Sequence, residues 1–69
     1  MTKVFEIVIQ GHVDPEWHEV FKKFKFENLP NGTTLLRGEV IDQPALQGIL
    51  MHINSLGWTL LKVEQIKKD

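Results

Sequence analysis

Apolar and polar positions alternate along the start of the chain, as they do in a strand with one buried face. Phe5, Ile7 and Ile9 share one side of this segment, and its charged and amide side chains fall on the other side. The alternation predicts a strand over 4–10 whose Phe and Ile side chains face the core. Gly11 is expected to end this strand.

The next segment changes to a helical spacing. Asp14 followed by Pro15 is typical of a helix start, because Asp accepts hydrogen bonds from the free amides of the first turn and proline has no amide to satisfy. Apolar side chains then follow at helical intervals: Trp17, Val20, Phe21 and Phe24. They predict a short helix of about two turns. The alternative is a single turn, since about a dozen residues is close to the minimum for a parallel crossover.

Two further strands joined by a tight turn are predicted next. Period-two alternation over 23–27 directs lysines outward, which suits an edge strand. The residues at 29–32, Leu-Pro-Asn-Gly, are typical of a turn, so the strand predicted over 33–41 forms a hairpin with the preceding one. Gly38 on the inward face is expected to leave room for a helix packed close to the sheet.

A longer helix is predicted after Asp42, which serves as its N-cap with Pro44 in the first turn. Its apolar stripe consists of Leu46, Ile49, Leu50, Ile53 and Leu56. Gly57 is expected to end the helix in the left-handed conformation. Trp58 then takes the position that packs against Ile53 in a Schellman motif.

The last segment, 59–66, alternates once more and predicts a fourth strand with Leu61 and Val63 inward and Leu60 outward. The resulting order, β-α-β-β-α-β, is that of ferredoxin-like folds. We therefore expect a single α+β domain over 1–69, with a four-stranded antiparallel sheet of strand order 4-1-3-2. A short first helix and a longer second helix are expected on one face of this sheet.

Composition narrows the possible functions. The chain has 69 residues and no cysteine, so it forms at most one small domain without disulfides, thiolate metal sites or thiol nucleophiles. Its 8 Lys and Arg against 9 Asp and Glu give a net charge of −1, which provides no cationic field for nucleic acid. No apolar run approaches the about 18 residues that cross a bilayer, and no signal peptide is visible. We therefore expect a cytoplasmic protein without membrane contact.

Imidazole and carboxylate side chains alternate after the first strand: His12, Asp14, Glu16 and His18. Alternation aligns four such ligands only within a strand, whereas the predicted helix start places them across a loop-to-helix junction. An N-cap and a solvated first turn explain the acidic residues more simply. We therefore predict neither a metal nor a cofactor, while a weak metal site at these four residues stays open as an alternative.

Functions common in this fold class leave signatures that this sequence lacks. RNA recognition motifs need aromatic side chains on the open face of the central strands, and metal-transfer domains need two cysteines in the first loop. Acylphosphatases need an arginine in that loop to hold phosphate, whereas the only arginine is Arg37 on a predicted strand. Ser55 and His52 form no legible nucleophile–base pair. We therefore expect no catalytic residue.

The sheet face away from the helices has an apolar centre and a charged rim, as protein interfaces do. The residues predicted to form this interface are Val8, Leu35, Arg37, Glu39, Leu60 and Lys62. A chain of this size buries only about 60% of its unfolded surface, and self-association is a common way to bury more. We therefore expect a homodimer, with a different protein partner as an alternative. The other alternative is an ordinary solvated face, since single exposed apolar residues are common.

Four stretches of the chain resemble a functionally uncharacterised family of small stand-alone prokaryotic proteins. Its members tend to contain G-x-L-D-x-x-W, N-G-x-T-x-L-x-G, D-Q-A-A-L-x-G-L-L and L-G-x-x-L-L-x-V. The matching stretches are 11–17, 31–38, 42–50 and 56–63. The sequence departs from the pattern at Pro44 and in the lysine-rich residues 22–25. Because the family has no assigned activity, the resemblance implies no catalytic or binding residue.

Two functions follow as hypotheses. The first is a non-enzymatic protein-interaction module that acts through the open side of the sheet. The second is a small-molecule-sensing regulatory domain that binds its ligand between subunits, near residues 12–17 and Asp42. An enzyme that uses His12 or His18 with Asp14 has the least support.

Overall fold

The computed structural model of the protein describes residues 3–14 and 19–66. Their elements, in chain order, are β1 (Lys3–Gln10), a 3₁₀ helix (Glu19–Phe21), β2 (Lys25–Asn28), β3 (Thr33–Val40), α1 (Gln43–Ser55) and β4 (Leu60–Ile66). Within the described ranges, no helix has the length and apolar character needed to cross a bilayer.

The four strands form one antiparallel sheet in the order β2-β3-β1-β4, which reads 4-1-3-2 from the β4 edge. β1 is central and pairs with β3 on one side and with β4 on the other. The connection that contains α1 therefore passes over β1, and the connection from β1 to β2 passes over β3. The predicted α+β class with a four-stranded antiparallel sheet is confirmed.

The described residues contain one α-helix, α1, and do not match the prediction of two helices. In the described part of the β1–β2 connection, the only helical element is the three-residue 3₁₀ helix, which corresponds to the single-turn alternative. The amide of Lys22 donates to the Glu19 carbonyl and that of Phe24 to the Phe21 carbonyl, so the chain tightens immediately before β2 begins at Lys25. The predicted helix start at Pro15 and the apolar position Trp17 lie outside the described residues.

Helix α1 begins and ends where the sequence predicts. Asp42 is the N-cap, and its Oδ1 accepts a hydrogen bond from the Ala45 amide at 2.9 Å. At the other end Gly57 has φ 78°. Its amide donates to the Asn54 carbonyl at 3.0 Å, and the Trp58 amide donates to the Ile53 carbonyl at 3.3 Å. These bonds form the predicted Schellman motif, which ends the helix and turns the chain towards β4.

The core lies between α1 and one side of the sheet. Its buried members are Phe5, Ile7, Ile9, Phe21, Leu36, Val40, Leu46, Ile49 and Ile53. The predicted inward positions of β1 and most of the predicted helix stripe are therefore confirmed. Phe21 is the member supplied by the 3₁₀ helix. Its ring is stacked on Trp58 at a centroid distance of 5.8 Å and meets the His52 ring edge-on at 5.8 Å.

Gly38 makes room for an aromatic ring rather than for the helix that was predicted to approach it. A Cβ atom at this position would lie 2.7–2.9 Å from ring carbons of Phe24. Such distances are shorter than van der Waals contact, so the Phe24 ring occupies the space that any other side chain at position 38 requires. A side chain from the first connection thus covers β3 where a longer helix was expected.

A register shift in β4 changes the face on which Leu60 lies. From Ile66 back to Lys62, each residue of β4 pairs with one residue of β1, and Lys62 lies opposite Val8. The register then shifts so that Leu60 is opposite Ile9, a core residue. Because directly opposite residues share a face, Leu60 lies on the helix side. The predicted outward position of Leu60 is therefore wrong, and Leu61, predicted inward, is 51% exposed.

Candidate interaction surface

One side of the sheet has no other layer over it among the described residues, since α1 and the 3₁₀ helix both pack on the side that bears Ile7 and Leu36. We call this uncovered side the open face. It includes Val4, Glu6, Val8, Lys25, Glu27, Leu35, Arg37, Glu39, Lys62, Glu64 and Ile66, with the pair Gln10 and Thr33 at one end. The open face is therefore built from all four strands.

The centre of the open face is apolar. Val8 and Leu35 lie directly opposite each other on the two central strands, and both are half-buried. Lys62 lies beside Val8 on one side, and Glu27 lies beside Leu35 on the other. An apolar pair enclosed by charged side chains has the layout of an interface core and its rim.

Two ion pairs lie on the open face. Arg37 Nε is 3.5 Å from Glu6 Oε2 across β3 and β1, and Lys62 Nζ is 3.0 Å from Glu64 Oε1 along β4. Three of these four side chains are about half exposed or more, so each pair contributes at most about 1 kcal/mol to stability. The two ion pairs therefore determine the positions of charges on the open face more than they stabilise the fold.

Five of the six residues predicted to form an interface share the open face: Val8, Leu35, Arg37, Glu39 and Lys62. Leu60 does not join them. It lines a hollow on the helix side together with Leu50 and Trp58. Its exclusion follows from the register shift in β4, which alternation along a single strand cannot reveal.

Alternation predicts outward side chains for Lys25 and Glu27, but the predicted interface did not include these two residues. In the structure Lys25 is opposite Arg37, and Glu27 is opposite Leu35. The turn at 29–32 contains the signal that could have placed them, because the length of a hairpin turn sets the pairing of its strands. With these two residues, the open face carries charge at both of its edges.

The imidazole and carboxylate run after β1 is only partly within the described residues. His12 Nε2 is 2.9 Å from the Leu29 carbonyl oxygen, so this side chain ties the β1 end to the β2–β3 turn. Glu16 and His18 lie outside the described residues. Among the described residues, no three His, Asp or Glu side chains are grouped closely enough to hold a metal ion.

The same end of the sheet is held by a buried threonine. Thr34 is fully buried, and its hydroxyl accepts from the Val13 amide at 3.1 Å and donates to the Gly11 carbonyl at 2.8 Å. Asn28 Oδ1 lies 2.9 Å from the same hydroxyl. These contacts satisfy buried polar groups, which gives this cluster a structural role.

The ligand site was predicted between subunits, near residues 12–17 and Asp42, of which 15–17 lie outside the described residues. Within one chain, His12 and Asp42 lie at opposite ends of β3. His12 follows the end of β1 that pairs with the start of β3, whereas Asp42 follows the end of β3. The eight residues of β3 separate the two by about 24 Å. Near the start of α1 there is instead a hollow of about 500 Å³, lined by Phe24, Val40, Ile41, Ala45 and Ile49 with Glu19, Lys22, Lys23 and Glu39 around them.

These features define a small α+β domain with a helix on one side of its sheet and an uncovered surface on the other. Residues 4–64 match the model of a protein family described as a domain of unknown function, DUF8691, and the chain belongs to this family. The predicted membership of an uncharacterised family is thereby confirmed. No curated protein and no solved structure matches the chain.

Proposed function

We propose that this domain is a non-enzymatic protein-interaction module that forms a homodimer through the open face. The observation that carries the proposal is the half-buried pair of Val8 and Leu35 at the centre of the open face, enclosed by charges of both signs. The proposal includes a cytoplasmic location and a ferredoxin-like architecture whose first connection contains the 3₁₀ helix Glu19–Phe21.

The size of the open face suits a modest interface. Four strands about 20 Å long at about 4.8 Å spacing give a projected area of about 400 Å². Specific interfaces bury about 600–1,000 Å² of accessible surface on each partner, and interlocking side chains bury more surface than their projection. A second copy packed on this face lies at the small end of that range, so we expect the dimer population to depend on protein concentration.

The test is the mass in solution, measured by light scattering after size exclusion at several concentrations. We expect the wild-type protein to approach twice the chain mass as concentration rises. Leu35→Glu places a charge at the centre of the open face, so we expect it to remain a monomer at every concentration. Met51→Glu is the matched control, because Met51 is 72% exposed on α1 and does not belong to the open face.

Circular dichroism shows whether each variant has kept its fold. A folded Leu35→Glu monomer beside a dimeric Met51→Glu supports the proposal. A wild-type protein that is monomeric at all concentrations contradicts it, as does a Leu35→Glu variant that still forms dimers.

A small-molecule-sensing role is the second candidate, and the hollow beside the start of α1 is the observation that favours it. Its volume of about 500 Å³ falls within the range of ligand pockets. In a thermal-shift screen of small metabolites, we expect a ligand of this hollow to raise the melting temperature of the wild type. The increase should disappear in Ala45→Phe, which fills the hollow from its wall. An increase that persists in Ala45→Phe contradicts this site.

A further inference from the structure

Two rows of side chains cross the open face in register from β4 to β2. The first row is Glu64, Glu6, Arg37 and Lys25. The second row is Lys62, Val8, Leu35 and Glu27. Each strand contributes one residue to each row, so the rows lie side by side across the whole sheet.

The first row separates charge into two halves, although Glu6 also pairs with Arg37 across the middle of the row and Glu64 pairs with Lys62 of the second row. Its two carboxylates, Glu64 and Glu6, are direct cross-strand neighbours, and so are its two cations, Arg37 and Lys25. Like charges placed directly opposite each other destabilise a sheet. The β4 half of this row is therefore negative and the β2 half positive.

We infer that the partner on the open face is a second copy related by a two-fold axis parallel to the strands, lying between β1 and β3. This inference rests on the proposed homodimer and specifies its geometry. The rotation exchanges the two edges of the sheet, so that β4 of each copy lies over β2 of the other. In the first row, Glu64 then faces Lys25 of the second copy, and Glu6 faces its Arg37.

The second row obeys the same rotation. Lys62 faces Glu27 of the second copy, and Val8 faces its Leu35. Every charge in both rows thus meets an opposite charge, and the apolar pair meets an apolar pair. The row formed by Ile66, Val4 and Glu39 has no such match, which places it at the rim.

The alternative two-fold axis, perpendicular to the strands, fits the open face less well. Placed between the two rows, it sets Glu6 over Val8 and Arg37 over Leu35 of the second copy. Charged groups then lose water against apolar side chains at the centre of the contact, which is unfavourable. At the edges this axis sets Glu64 over Lys62 and Lys25 over Glu27, so the edge charges match under both axes. The contact at the centre of the open face therefore selects the axis parallel to the strands.

The twist of the two sheets does not separate these facing pairs. Packed sheets are rotated by about 30° relative to each other, and the outer strands lie about 7 Å from the axis. The edge residues are displaced by about 4 Å, less than the length of a lysine side chain.

Reversing charge at the two edges tests the inference. Lys62 and Glu27 are three strand spacings apart within one chain, about 14 Å, so solvent and salt largely screen one from the other. In the dimer they meet across the interface. We expect Lys62→Glu and Glu27→Lys each to raise the dissociation constant at least about tenfold, measured by sedimentation equilibrium. The double variant should return to within about threefold of the wild type.

Mixing the two single variants provides an independent readout. In a mixed dimer, position 62 of each chain faces position 27 of the other with opposite charge. We therefore expect the 1:1 mixture to dimerise about as tightly as the wild type, although each variant alone is weak. Lys22→Glu is the matched control, because it removes an exposed ion pair with Glu19 at 3.1 Å on the other side of the sheet. This control should dimerise like the wild type.

The outcomes separate the inference from the proposed function. Recovery in both the double variant and the mixture supports the axis. Dimerisation that Leu35→Glu abolishes, but that the double variant and the mixture fail to recover, overturns the axis and leaves the homodimer standing. A wild-type protein that stays monomeric overturns both.

Discussion

The two connections that cross the sheet cover its apolar side with different elements. The second connection, from β3 to β4, uses the thirteen-residue helix α1, which buries Leu46, Ile49 and Ile53. In the described part of the first connection, from β1 to β2, the helical element has three residues and contributes the buried side chain of Phe21 to the core. A short crossover thus covers the sheet with large aromatic rings, where a longer one uses several aliphatic side chains.

The aromatic rings also join the two connections. Phe21 meets Phe24 edge-on at 6.3 Å within the first connection and stacks on Trp58, which belongs to the second. Such ring pairs contribute about 0.5–1.5 kcal/mol beyond the area that they bury. The 3₁₀ helix therefore remains docked because the Phe21 ring contacts His52 in the last turn of α1 and Trp58 just beyond it.

The largest expected effect comes from removing the main anchor of the first connection. Phe21→Ala deletes a 98% buried ring, and we expect it to lower the free energy of unfolding by about 3–5 kcal/mol. Ile53→Ala is the corresponding deletion in the second connection, with an expected loss of about 2–5 kcal/mol. Urea unfolding followed by circular dichroism measures both. A loss below about 1 kcal/mol for Phe21→Ala would show that the first connection does not hold the core.

A smaller effect is expected where the first connection presses on β3. Gly38→Ala places a methyl group against the Phe24 ring, and we expect a loss of about 1–3 kcal/mol by thermal or urea unfolding. Gly48→Ala is the control, because a Cβ there meets nothing within 4 Å and alanine favours the helix by about 1 kcal/mol. In a Phe24→Ala background, most of the loss from Gly38→Ala should vanish. If the loss persists there, the ring is not its cause.

The smallest effect concerns the start of the second connection. Asp42→Ala removes the oxygen that accepts from the Ala45 amide, and we expect a loss of about 1 kcal/mol in urea unfolding. Asp42→Asn keeps an oxygen at this position and should cost only a few tenths of that value. Equal losses for the two variants would point to charge, and not to the cap, as the stabilising feature.

The second connection could be predicted from the sequence because its signals are local. Asp42, the apolar stripe and Gly57 each act within a few residues of the helix end that they specify. The first connection was harder to predict because its outcome depends on packing at a distance. Phe24 follows helical spacing from Phe21, yet its ring is placed by the gap over Gly38, a residue on another strand.

The candidate interface shows the same division. Alternation correctly placed Val8, Leu35 and Lys62 on one face, because period two is a property of each strand alone. Leu60 was misplaced because the register shift arises from the pairing of β4 with β1. The charge rows could not be derived from any single strand, since they require the register of all four.

The central position of β1 also shapes how the protein folds during synthesis. β1 is made first, but its partners β3 and β4 follow much later, and β4 is the last strand. Only the β2–β3 hairpin can form from neighbouring segments. Pairings between distant segments form slowly, so both hydrogen-bonding edges of β1 stay unpaired while the chain is being synthesised. Nascent chains that stop before β4 leave one of these edges open, and we expect them to be targets for chaperones or for aggregation.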